Sequence, residues 1–104
     1  MGYSEKLKQR VEQSPRTLGN QLGRWAIHHD ISAQKLALVT GATRQTIYNW
    51  FTGSAVIPAY RERVEFVLKT LINSQTGEDA WRALCQQFNL QNFANGNLIK
   101  GGFW

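Results

Sequence analysis

The sequence has little cysteine and no long apolar run, and each shortage excludes a class of protein. Cys85 is the one cysteine among 104 residues. A single cysteine excludes an internal disulfide framework and a cysteine-based zinc site, and its apolar helical surroundings favour a buried thiol over a nucleophile. No apolar stretch approaches the ~20 residues that a membrane-spanning helix needs. Residues 1–13 lack the apolar core of a signal peptide, so we expect no membrane association and a cytoplasmic protein.

The sequence also shows no arrangement of side chains suited to catalysis. It has no Ser/His/Asp set, no carboxylate pair and no glycine-rich phosphate loop, so we expect neither an enzyme nor a cofactor. His28 and His29 are adjacent but have no further ligand at a useful spacing, so we expect no metal site. We expect His28 to lie in solvent and His29 to be half-buried.

Acidic side chains are outnumbered by basic ones. The chain has 12 Lys and Arg residues against 7 Asp and Glu residues, which gives a formal net charge of +5. This balance suits a polyanionic partner, although many basic proteins bind nothing anionic. Hydrophobic residues make up 42% of the chain, an ordinary content for a globular protein. We therefore expect one folded domain over residues 1–104.

Capping residues and apolar periodicity predict an all-α fold of five or six short helices. The predicted parts are an N-terminal helix (4–13), a helical core (15–73) and a C-terminal helix with a tail (76–104). The Ser14-Pro15 pair predicts that the second helix begins at Pro15. Residues 97–100 in the tail can form a short strand or arm.

Gly19 and Gly23 lie four positions apart in the predicted second helix. Each glycine weakens a helix by up to about 1 kcal/mol relative to alanine. We interpret them as positions at which another helix approaches closely. Trp25, Trp50 and Trp81 are interpreted as core aromatics.

Residues 32–53 combine the features that two short helices crossing over a tight turn require. Ser32 and Thr43 can cap helices over 33–40 and 44–52, and Gly41 can take the positive φ of the turn. The other pattern positions are a small residue at the helix contact, apolar anchors behind it and a terminating glycine: Ala37, Leu36, Ile47, Trp50 and Gly53. This segment therefore predicts a helix-turn-helix.

The segment resembles the helix-turn-helix of the Cro/repressor family, whose members have a lambda-repressor-like fold. The matching positions are Leu36, Ala37, Gly41, Thr43, Ile47, Trp50 and Gly53, and the resemblance covers about residues 17–72. It implies a sequence-specific transcriptional regulator of phage or mobile-element type that binds double-stranded DNA as a homodimer. Ala26 and Phe51 stand where the family commonly has an Arg–Glu ion pair. Because an apolar pair can replace a buried ion pair with little loss, we expect a repacked version of the fold.

The second helix of the motif carries its polar side chains away from the apolar anchors. We expect these residues to read base edges in the major groove: Arg44, Gln45, Tyr48 and Asn49. We expect contacts to the DNA backbone from a further set: Ala33, Gln34, Lys35, Thr43, Thr46, Thr52, Ser54, Arg61 and Arg63. The alternative interpretation is a plain solvated surface.

The C-terminal segment is the predicted dimerisation surface. Its candidate residues are Trp81, Phe88, Phe93, Phe103 and Trp104. The terminal Phe103-Trp104 pair can pack on the core, mediate self-association or be disordered.

Two functions other than transcriptional regulation stay open at this point. One is a protein-interaction module, such as an antitoxin or a phage protein that binds a host factor. The other is a DNA-packaging or replication accessory protein that uses the same motif.

Overall fold

The computed structural model describes residues 2–88. These residues form six α-helices, with no strand in that range. They are α1 (Glu5–Gln13), α2 (Leu18–His29), α3 (Ala33–Thr40), α4 (Arg44–Phe51), α5 (Pro58–Asn73) and α6 (Gly77–Gln87). The predicted all-α class is confirmed. The candidate strand at 97–100 and the candidate residues Phe93, Phe103 and Trp104 lie outside the described residues. None of these helices is both long and apolar enough to cross a membrane.

Hydroxyl side chains begin five of the described helices. Each accepts a hydrogen bond from the backbone N–H three residues further on, and they are Ser4, Thr17, Ser32, Thr43 and Thr76. This satisfies a donor that has no partner within the helix. The helix α5 begins instead at Pro58, which has no N–H to satisfy.

The predicted start of the second helix at Pro15 is wrong. The helix α2 begins at Leu18, because the Thr17 hydroxyl accepts from the backbone N–H of Asn20 at 3.1 Å. Ser14 ends α1 instead, with its N–H donating to the Val11 carbonyl at 3.3 Å. A residue before proline is biased towards extended backbone, which suits Ser14 as the end of a helix.

The core lies around α2, which packs mainly against α4 and α5. Trp50 and Trp81 are buried, as predicted, whereas Trp25 is only partly buried. Cys85 is a buried thiol, also as predicted, and its burial raises the pKa of the thiol. His29 is 8% exposed and so more buried than expected, with Nε2 2.7 Å from the Leu71 carbonyl oxygen.

The helices α2 and α4 approach so closely that only glycine fits at two positions of α2. A Cβ atom on Gly19 would lie 2.5 Å from the Cβ of Trp50 and 2.8 Å from the Trp50 carbonyl oxygen. A Cβ atom on Gly23 would lie 2.7 Å from Cγ of Phe51. The interpretation of these glycines as a site of close helix approach is confirmed. The position of α4 is therefore set by contact with the backbone of α2.

Candidate nucleic-acid interface

The helices α3 and α4 are joined by a turn of three residues, 41–43. Gly41 has φ of +84°, a left-handed conformation that glycine adopts without strain, and its N–H donates to the Ala37 carbonyl at 2.9 Å. Nη1 of Arg63 on α5 donates to the Thr40 carbonyl at 3.1 Å, so a side chain of α5 satisfies a carbonyl group at the C-terminal end of α3. The two helices form the helix-turn-helix unit that carries the candidate site.

The helix α4 is divided into a buried back face and an exposed front face. Ile47, Trp50 and Phe51 on the back face are each at most 3% exposed. The front face carries the four predicted base-reading residues, all of which are exposed to solvent: Arg44, Gln45, Tyr48 and Asn49. The structure therefore brings the four residues together on one side of one helix.

Two amides on the front face contact each other. Nε2 of Gln45 donates to Oδ1 of Asn49 at 3.1 Å, across one turn of the helix. The contact orients both side chains and leaves the Gln45 carbonyl oxygen and the Asn49 amide group for a partner outside the helix. An acceptor and a donor side by side are what the major-groove edge of adenine requires.

Four of the predicted backbone-contacting residues lie at the ends of α4. The Thr43 hydroxyl accepts from the Thr46 N–H and donates to the Thr46 hydroxyl, at 3.1 Å and 3.0 Å. At the other end, the Thr52 hydroxyl donates to the Tyr48 carbonyl at 3.1 Å. The Ser54 N–H donates to the Asn49 carbonyl at 3.0 Å. All four therefore lie at the two ends of the helix that carries the front face, and Thr52 lines the same cleft as Gln45 and Asn49.

The other predicted backbone-contacting residues are more dispersed. Lys35 holds its ammonium 5.0 Å from the ring centroid of Trp81 on α6, and Arg63 is bound to the end of α3 as described above. Arg61 is exposed at the start of α5. Ala33 and Gln34 are the first two residues of α3, where backbone N–H groups have no acceptor within the helix.

Two clefts adjoin α4. The first, here called the α1–α4 cleft, has a volume of about 520 Å³ and lies between α1, the start of α3 and the front face of α4. The second has a volume of about 600 Å³ and lies between α3 and Arg44 at the start of α4. Residues of the front face therefore line both clefts: Gln45, Tyr48 and Asn49 line the first, and Arg44 lines the second.

The segment of sequence that contains α3 and α4 carries charge of one sign. Residues 31–61, which include both helices of the unit, contain no Asp or Glu but contain Lys35, Arg44 and Arg61. A segment with basic and no acidic side chains produces a local field that attracts anions. The net charge of the whole chain conceals this local bias, because the acids are confined to the flanking parts of the sequence.

A buried asparagine, which the sequence patterns did not reveal, holds α4 from behind. Asn20 is completely buried, and its Nδ2 donates to the Phe51 carbonyl at 2.7 Å and to the Val11 carbonyl at 2.9 Å. Its Oδ1 accepts from Nε of Arg24 at 2.8 Å. One side chain therefore joins α1, α2 and the end of α4. Apolar periodicity gives no signal for such a residue, since its partners are backbone carbonyls.

Tyr3, which the sequence patterns also did not reveal, covers Phe51 from the N-terminal side. Its ring meets the Phe51 ring edge-on, with centroids 5.9 Å apart, and its hydroxyl donates to the Ile31 carbonyl. Burial, with smaller contributions from Tyr48 and Asp30, raises the pKa of Tyr3, so the hydroxyl stays a donor. Phe51 is thus enclosed by Gly23 and Tyr3.

Two of the predicted dimerisation residues lie in the described part of the chain. Trp81 is 8% exposed and packs into the core of its own chain, so it offers little surface to a second copy. Phe88 is partly buried and meets Phe66 edge-on, with ring centroids 5.8 Å apart.

Among residues 2–88, no group of three or more His, Cys, Asp or Glu side chains could hold a metal ion.

The chain matches no protein-family model, and comparisons with curated proteins and with solved structures find no significant match. The resemblance of residues 17–72 to the Cro/repressor family therefore stays a prediction.

Proposed function

We propose that this protein binds double-stranded DNA in a sequence-specific manner and regulates transcription. The observation that carries the proposal is the division of α4 into a buried back face and a front face with Arg44, Gln45, Tyr48 and Asn49. An α-helix fits the major groove of B-DNA, which is roughly 12 Å wide. The resemblance to Cro/repressor proteins adds a phage or mobile-element regulator to the proposal.

Each front-face side chain has a chemical counterpart on a base edge. Arg44 lies in the first turn of α4, the part of a recognition helix that reaches the bases, and its guanidinium can form two hydrogen bonds with guanine. Gln45 and Asn49 are hydrogen-bonded to each other, and the Gln45 carbonyl oxygen and the Asn49 amide N–H that remain can together form two hydrogen bonds with adenine. Tyr48 offers a ring for contact with a thymine methyl group and a hydroxyl for a hydrogen bond.

The surroundings of α4 suit a polyanion. The absence of Asp and Glu from residues 31–61 removes a source of repulsion against phosphates. The Thr43 and Thr52 hydroxyls at the two ends of α4 and the first N–H groups of α3 are groups that commonly contact phosphates. These groups would fix the register of the protein on the duplex.

The proposal includes two copies of the chain on one site. One helix of eight residues contacts only a few base pairs, which is too little for adequate specificity. Helix-turn-helix dimers bind two half-sites about 34–36 Å apart, or one turn of DNA. The spacing of the half-sites therefore reports how the two copies of the chain are arranged on the DNA.

Selection of bound duplexes from a random library tests the proposal. We expect an enriched motif made of two half-sites, with binding that weakens linearly with the logarithm of the salt concentration. If no duplex is bound with both sequence selectivity and salt dependence, the proposal is rejected.

The substitution Arg44→Ala tests the assignment of the reading face. We expect it to relax base preference at one position of each half-site, with a loss of about 1–3 kcal/mol of discrimination there. The matched control is Arg82→Ala, which removes the same charge from an exposed position on α6. Selection with the control variant should return the same DNA motif as the wild type. Loss of base preference at that position in both variants would contradict the assignment of Arg44.

A further inference from the structure

The N-terminal helix α1 forms a wall of the α1–α4 cleft. On the α4 side the lining residues include Gln45, Asn49 and Thr52, and on the α1 side they include Ser4, Leu7 and Arg10. The predicted reading face and a helix for which the sequence suggested no role therefore border one recess.

The helix α1 is fixed in this position by contacts at both ends. At its start, Tyr3 donates to the Ile31 carbonyl and packs on Phe51. Near its end, Val11 is 1% exposed, and Nη2 of Arg24 donates to the Glu12 carbonyl at 3.0 Å. Arg10 is thus carried on an anchored helix.

Arg10 is the one charged side chain among the residues that line the cleft. It is exposed. The ion pairs formed within residues 2–88 are Lys8–Glu5 and Arg82–Asp79, so Arg10 has no acidic partner in that range. Lys8, on the same helix, is by contrast already paired with Glu5 at 3.4 Å. The residues that line the cleft therefore include a cation that has no acidic partner and include no Asp or Glu, and the carboxylate of Asp30 lies beside them, next to Gly2.

We propose that α1 is a second DNA-contacting element and that Arg10 binds a phosphate of the strand that runs through the α1–α4 cleft. The inference rests on the proposed function, since it takes α4 to lie in the major groove. A helix in that groove lies between two sugar-phosphate backbones, so a recess beside its front face is a place for one of them. The planar guanidinium of arginine can form two parallel hydrogen bonds with a phosphate.

A phosphate contact carries no direct information about sequence. Arg10 therefore contributes affinity and register, whereas Arg44 on α4 contributes base preference. The two arginines are expected to differ in the kind of defect that their removal produces, and this difference makes the inference testable separately from the proposed function.

The test uses the full chain and the duplex that the wild-type protein selects. Binding is measured over a series of salt concentrations for the wild type, Arg10→Ala, Arg10→Lys and the control Arg82→Ala. For Arg10→Ala we expect weaker binding to all duplexes alike, and a slope of log K against log salt that is smaller by about 0.9 for each phosphate that the variant no longer neutralises. Arg10→Lys keeps the charge and should recover most of the slope, and Arg82→Ala should retain the wild-type slope.

A wild-type slope for Arg10→Ala, together with selective binding by the wild type, overturns the inference and leaves the proposed function standing. A changed base preference in Arg10→Ala also overturns it, because a phosphate contact does not alter preference. Absence of selective binding by the wild type instead refutes the proposed function. Thermal unfolding of each variant excludes a folding defect, and Arg10→Gln repeats the test with a side chain of similar polarity and no charge.

Discussion

The two faces of α4 are built in opposite ways. The back face has no spare room: Trp50 lies against the backbone at Gly19, Phe51 lies against Gly23, and Asn20 binds the Phe51 carbonyl. On the front face, side chains are exposed, and Gln45 bonds to its neighbour Asn49 rather than to another helix. The difference teaches that the residues that orient α4 are separate from the residues that we propose for DNA recognition. Residues behind α4 set where it points, and residues in front can change without loss of the fold.

Among the substitutions considered, Gly19→Ala should disrupt the packing of the back face most and cause the largest loss in the free energy of unfolding. The added Cβ would lie within 3 Å of three Trp50 atoms, two of them in the backbone, so either α2 or α4 has to move. We expect a loss of about 2–3 kcal/mol in the free energy of unfolding, despite the better helix propensity of alanine. Denaturant unfolding measures the loss. Gln21→Ala, at an exposed position of the same helix, is the control and should unfold like the wild type; equal losses in both variants would contradict the close contact.

The substitution Asn20→Ala should weaken the back face by a smaller amount. It leaves the buried Phe51 carbonyl without its side-chain donor and removes the acceptor of Nε of Arg24. Because an unsatisfied buried polar group costs roughly 1–3 kcal/mol, we expect a loss of about 2 kcal/mol in the free energy of unfolding. Asn73→Ala, at an exposed position, is the matched control. An Asn20→Ala protein as stable as this control would refute the role of Asn20 in holding α4.

The front face should show the smallest effect on stability. Gln45→Ala and Asn49→Ala are each expected to change the free energy of unfolding by less than about 0.5 kcal/mol, because both positions are exposed. In DNA binding, the two substitutions should be non-additive by about 0.5–3 kcal/mol, since each amide orients the other. A double-mutant cycle on the selected duplex measures this coupling. Strictly additive effects would mean that the two amides read bases independently.

The sequence predicted the elements that depend on local signals. Ser32 and Thr43 indicated the starts of α3 and α4, and the four-residue spacing of Gly19 and Gly23 indicated a close helix contact. Local signals failed where two of them competed: the hydroxyl of Thr17 starts α2, although Ser14-Pro15 carries a similar signal earlier in the chain.

The parts that could not be predicted join segments far apart in the sequence. Asn20 binds carbonyls that lie 9 and 31 residues away, and Tyr3 binds one that lies 28 residues away. The place of Arg10 beside the front face depends on how α1 packs, which no pattern within α1 specifies. The exposed front face of α4 was therefore predictable from the sequence, whereas the contacts that hold α4 and the place of Arg10 beside it were not.

The glycine contact behind α4 also has a thermodynamic consequence. A helix packed this closely on the backbone of its neighbour has little room to change its direction relative to α2. In the proposed complex with DNA, the conformational cost at α4 would then come mainly from ordering its front-face side chains, at about 0.5–1.5 kcal/mol for each long side chain, in addition to the lost translational and rotational freedom of the two molecules. A larger side chain at Gly19 would loosen the packing of α4 on α2. Ordering of α4 itself would then add to the entropic cost of binding, even in a variant that still folds.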